Sequence, residues 1–159
     1  MAFEPGHPEL KNLFDVALAN QVKQRIDCLR IDSQRQWGRM SVAQMMAHCA
    51  SALEMALGEI RPPRALLGRL IGFIIKPRVV GNDEPFRRNA PTMRDLVVSG
   101  KCDLDTERSR LWSLIDRFVS GGPSACTVHP HPFFGPLTPA EWAVLMYKHL
   151  DHHLRQFGV

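Results

Sequence analysis

K-H-L-D-H-H-L-R-Q-F, residues 148–157, closes the last apolar-periodic run of the chain and decides how the rest is read. His149 and His153 stand four residues apart. On an α-helix that spacing stacks two imidazoles on one face, about 6 Å apart along the axis. Two neutral imidazoles so placed can hold one divalent transition metal. His152, three residues after His149, is the alternative partner; His153 is preferred because i+4 lies more directly over i. The bland reading is that Lys148, Arg155 and the histidines only complement the negative end of a helix dipole.

The segment before this run reads as the start of its helix. Thr138 stands at the N-cap, Pro139 in the first turn and Glu141 at the capping-box position. Trp142, Leu145, Met146, His149 and His153 then share one stripe to about Phe157, so the two candidate ligands face the core. A third histidine, His48, lies in M-S-V-A-Q-M-M-A-H-C-A, a second amphipathic run capped by Ser41 with Gln44 and ending near Gly58. A first helix is expected over Pro8–Arg30, with Leu10, Leu13, Phe14, Ala17, Leu18, Val22, Ile26 and Leu29 along its stripe. A third is expected after Asp103 or Asp105, running to about Ser120, where G-G-P stops it. Between the second and third lies a long insertion, Glu59–Gly100. It carries an apolar run, Ala65–Ile75, read as a buried or lid-like helix, and then a Pro- and Gly-punctuated loop from Lys76 to Thr92. The expectation is an all-α chain, residues 1–159 as one domain, built as a four-helix bundle with a long crossover between helices two and three.

Composition narrows the function classes. Hydrophobic residues are 45% and charged residues 23% of 159, an ordinary globular balance. The net charge of +4 is mild, and the densest basic stretch, Arg61 to Arg88, is broken by Pro and Gly, so no nucleic-acid partner is expected. The start M-A-F-E-P-G-H-P lacks the pattern of a leader, and Ala65–Ile75 is too short to span a bilayer; a cytoplasmic protein with no membrane partner is expected. Cys28, Cys49, Cys102 and Cys126 show no C-x-x-C spacing and read as reduced thiols, mostly in the core. No G-x-S-x-G, P-loop or G-x-G-x-x-G is present.

W-G-R-M-S-V-A-Q-M-M-A-H, residues 37–48, and H-P-F-F-G-P-L-T-P-A-E-W-A-V-L-M-Y-K-H-L-D-H-H-L-R-Q-F-G, residues 131–158, resemble conserved segments of the DinB/YfiT-like proteins, closest to a bacterial branch of unknown function. The resemblance implies a four-helix bundle carrying a divalent metal, nickel or zinc, on His48, His149 and His153. It also implies a transferase or isomerase activity that uses a low-molecular-weight thiol, although the middle section and the Pro-rich loop depart from the characterised transferases.

The residues themselves support an open site. Three neutral histidines leave a coordination position for water or substrate, where a structural zinc site would fill all four. Such a site can acidify a water or a thiol. Two functions are therefore carried forward: a metal-dependent transferase or hydrolase of a small molecule, and a non-catalytic ligand-binding or stress-response module, each with a homodimer as its expected state. A third reading, a bundle with structural histidines, has no metal at all. Gln156, seven residues after His149, either orients a ligand or is a polar residue at a fraying end. His129 and His131 are read as rim or structural residues, Phe133, Phe134 and Trp37 as core or pocket lining, and Tyr147 as packing. Cys49 points about 100° away from His48 and is a poor co-ligand.

Overall fold

A computed structural model describes residues 10–90, 93 and 96–159. The expected helix start at Pro8, the N-terminal leader reading and the loop end at Pro91 and Thr92 lie outside them. Among the described residues the chain is all-helical, with α1 (Val16–Asp27), α2 (Val42–Ala56), α3 (Leu66–Val80), α4 (Leu104–Gly121), a short 3-10 turn (Gly122–Ala125) and α5 (Pro139–Gln156), and no strand. No helix of the described residues is long and apolar enough to cross a membrane.

Local signals set most boundaries. Ser41 accepts from Gln44 N while Gln44 reaches back to Ser41 N, and Thr138 and Glu141 repeat the arrangement at α5, so both expected capping boxes form. Asp103, not Asp105, caps α4 through Thr106 N. α1 is shorter than its apolar stripe: Asp15 accepts from Ala17 N and Leu18 N, which starts the helix at Val16 and leaves Leu10–Phe14 outside it. It also ends at Asp27, short of Arg30. α3 is longer than expected and runs through Pro77 into the segment read as loop. Lys148 holds its end, with Nζ donating to Val79 O at 2.6 Å and Asn82 O at 2.9 Å. Lys148 therefore complements the carbonyl end of α3 instead of its own helix.

α1 packs on α4 and α5, α2 packs on the same two, and of the described helices α3 meets only α5. α2 is the innermost helix. Twelve of its 15 residues are buried, Val42 through Ala50 save Gln44 and then Ala52, Leu53, Met55 and Ala56. Its alanines let neighbours approach closely on sides where an amphipathic helix would face water. The core of Trp142, Phe118, Ile115, Met45, Met46, Leu53 and Leu150 closes around it. Two expectations fail here. Of the cysteines only Cys49 is in the core; Cys28 is exposed, and Cys102 and Cys126 are half-buried. Of the two readings of the apolar run Ala65–Ile75, buried or lid-like, the buried one does not hold, since Leu66, Leu67, Leu70, Phe73 and Ile74 face outward.

Candidate metal centre

The middle of α2 and the last two turns of α5 bring His48, His149 and His153 together, with one nitrogen of each within 4.8 Å of the others. Ligands about 2.0–2.1 Å from a tetrahedral ion stand roughly 3.3 Å apart, so small ring rotations suffice to close the set. His48 Nε2 is already 2.9 Å from His149 Nε2.

Two of the three rings are oriented by oxygens that can only accept. His48 Nδ1 donates to the Leu96 carbonyl at 2.8 Å, so in its neutral form Nε2 is bare and faces the cluster. Gln156 donates through Nε2 to the Trp37 carbonyl at 2.8 Å, which leaves its Oε1 to accept from His153 Nδ1 at 2.9 Å. His153 Nε2 is then bare as well. This is the outer hydrogen bonding that metal-ligating histidines typically make, here a carbonyl on one ring and a side-chain amide on the other. Gln156 is buried and takes up the orienting role that its heptad spacing allowed. Leu96 could not have been found from sequence, because it sits in the long connection with no motif around it.

Electrostatics keep the cluster neutral. Burial, then the neighbouring His153 and His48, hold His149 well below its ordinary value. Burial and His48 push His153 down to about 3. Burial also lowers His48, against the opposing pull of the Leu96 carbonyl. His48 and His153 are buried and His149 is half-buried.

Of the two alternatives, His153 is the one that stands with His48 and His149. His152 lines a surface cavity of about 470 Å³, between Trp37 and Phe86, whose ring centroids are 5.7 and 5.8 Å from its own. Asp151 pairs with Arg25 and Arg155, Glu54 with Arg110, and Asp116 with Lys23. No carboxylate joins the three histidines among the described residues. Tyr147 packs against the core from a half-buried position, and His129 likewise takes no part in the cluster. His131 is buried in the Pro-rich loop, where Nδ1 accepts from Phe133 N and Phe134 N at 3.1 Å each. That bonding makes it a turn-forming residue, and burial with the nearby Arg64 pushes it down to about 4.

The family model described as "Protein of unknown function (DUF1569)" matches residues 10–158. The chain belongs to that family. No curated protein and no solved structure matches it. The matched span contains all three histidines, Leu96 and Gln156, so every part of the centre lies within the family's domain.

Proposed function

We propose that this chain is a single-domain, DinB-like four-helix bundle that binds one divalent transition metal, nickel or zinc, on His48, His149 and His153, and acts as a transferase or hydrolase on a small molecule. The observation that carries the reading is the convergence of three neutral imidazoles, two of them with Nδ1 engaged and Nε2 turned inward. When bound, the ion supplies a Lewis acid that can lower the pKa of a water or thiol at the position left open. Leu96 and Gln156 fix two of the ligand rings. The cysteine beside His48 in the chain is not a ready nucleophile. Cys49 is buried, its Sγ faces Met45 Sδ at 3.7 Å, and burial raises its pKa, so a reacting thiol comes from a low-molecular-weight partner.

The acid-free surroundings favour a second reading, a metal-stabilised module that binds a ligand without turnover, because general acid–base groups are engaged in ion pairs elsewhere. Elemental analysis of protein purified without a metal-affinity tag tests the common part. About one transition metal per chain is expected, lost in His48→Ala, His149→Ala and His153→Ala and kept in His152→Ala. No metal in the wild type after incubation with Ni²⁺ or Zn²⁺ would refute both readings. Given a loaded protein, thiol-transfer and ester-hydrolysis assays separate turnover from binding alone.

A further inference from the structure

α3 presents an apolar face to solvent. Leu66, Leu67, Leu70, Phe73 and Ile74 are 78%, 59%, 70%, 69% and 50% exposed. At 100° per residue these five positions share one sector about 120° wide. The opposite side carries Gly68 and Gly72, which lie so close to the Pro-rich loop that a Cβ on either would stand 2.5 or 2.0 Å from Phe133 O. The helix is fastened in this orientation. Ala65 N donates to Pro132 O at 3.0 Å, and Lys76 Nζ reaches Pro136 O at 2.9 Å and pairs with Glu141 at 2.8 Å. Turning the apolar side inward would break all of these contacts. The outward face is therefore part of the fold.

Charge says what covers it. Arg69 lies about 40° beyond Phe73 on one edge of the sector and Arg78 about 20° beyond Leu67 on the other. Both are exposed, and neither guanidinium is ion-paired among the described residues. α3 contains no acidic residue. From residue 61 to residue 88 the chain carries Arg61, Arg64, Arg69, Lys76, Arg78, Arg87 and Arg88 against Asp83 and Glu84 alone. An apolar sector edged by cations suits the boundary between headgroups and acyl chains of an anionic bilayer. A second copy suits it poorly, because a two-fold interface sets the patch against itself and would leave arginines facing arginines.

We propose that α3 is a membrane-surface helix that lays Leu66, Leu67, Leu70, Phe73 and Ile74 into an anionic lipid layer, with Arg69 and Arg78 on the lipid phosphates. This departs from the sequence expectation of no membrane partner. That expectation rested on the length needed to span a bilayer, and a helix lying in the interface has no such requirement.

Co-sedimentation of the intact chain with vesicles tests it. Binding is expected to vesicles of phosphatidylcholine mixed with phosphatidylglycerol, to weaken as salt is raised, and to be far weaker to phosphatidylcholine alone. Arg69→Ser combined with Arg78→Ser should weaken binding roughly 30-fold. Leu70→Ser combined with Phe73→Ser should abolish it, with helical content by circular dichroism unchanged because both side chains are exposed. No binding to either vesicle would overturn the proposal, and so would equal binding to both. Sedimentation of the lipid-free protein supplies a further check: a dimer that Leu70→Ser with Phe73→Ser dissociates would assign the face to a second copy instead.

Discussion

His153 and its neighbours show how protonation and orientation are set one residue at a time. All three candidate ligands are held neutral below the ordinary histidine range, His153 to about 3. Metal loading therefore displaces few protons from them. Calorimetry at pH 6 in buffers of different ionisation enthalpy should show less proton release from the protein than the about two that three histidines at the ordinary value near 6.5 would give. Gln156→Ala removes the acceptor that turns the His153 ring, and metal affinity should fall about 10–100-fold in a chelator competition, with the metal still bound at saturation. His131 gives a stability signature. Its folded pKa of about 4 lies below its unfolded value near 6.5, so the unfolded chain binds the extra proton as pH falls. Its neutral form costs nothing above about pH 6.5, and stability is lost progressively from there down to about pH 4, by about 3 kcal/mol in total. His131→Asn keeps an acceptor for Phe133 N and should flatten that part of the urea-denaturation profile against pH. A slope unchanged in the variant would show that His131 is not its source.

At the scale of elements, α3 is the piece whose placement depends on absent side chains. Gly→Ala within a helix ordinarily gains about 1 kcal/mol through propensity. At Gly68 the added methyl would meet the Phe133 backbone at 2.5 Å, and neither partner is a flexible side chain end. Overpacking of this kind costs about 1–3 kcal/mol, so the net sign should be destabilising, with faster hydrogen exchange confined to α3. A stabilised variant would show that α3 does not sit on the loop as described. The caps carry the opposite expectation of uniform behaviour. Ser41→Ala and Thr138→Ala each remove an acceptor at a helix start and should cost about 1 kcal/mol in denaturant unfolding. The two helices that hold the histidines were legible because these cap signals and their apolar stripes agree. α1 and α3 were misjudged in extent for opposite reasons. An Asx cap at Asp15 overrides the stripe that continues before it, and the Pro- and Gly-punctuated segment after Ile75 begins as helix because bonds from Lys148 and Gly81 N carry it past Pro77.

For the whole molecule, the core does not depend on the three-histidine cluster. The core has its own large buried side chains, Trp142 and Phe118 among them, so the metal-free chain should stay helical by circular dichroism, unlike a zinc finger. A metal that binds only the folded state should still add about 2.7 kcal/mol at a hundredfold excess over Kd, which corresponds to roughly 5–10 °C in thermal midpoint. Chelation should return the midpoint to the metal-free value, and His149→Ala should show neither change.

By itself the sequence determined the helical class and both capping boxes, and it put His149 and His153 on one face of one helix, because each rests on spacings within one element. Periodicity fixes what a helix places on one face. Tertiary structure alone decided three further matters. It chose His153 over His152, since the two differ only in which neighbours, Gln156 or Trp37 and Phe86, surround them. It brought the Leu96 carbonyl to His48 from a connection with no signal of its own. It also turned the apolar face of α3 outward, because two glycines pack closer to the Phe133 backbone than any leucine could. Contacts between elements far apart in the chain have no period to read, and burial is decided by which surface happens to fit.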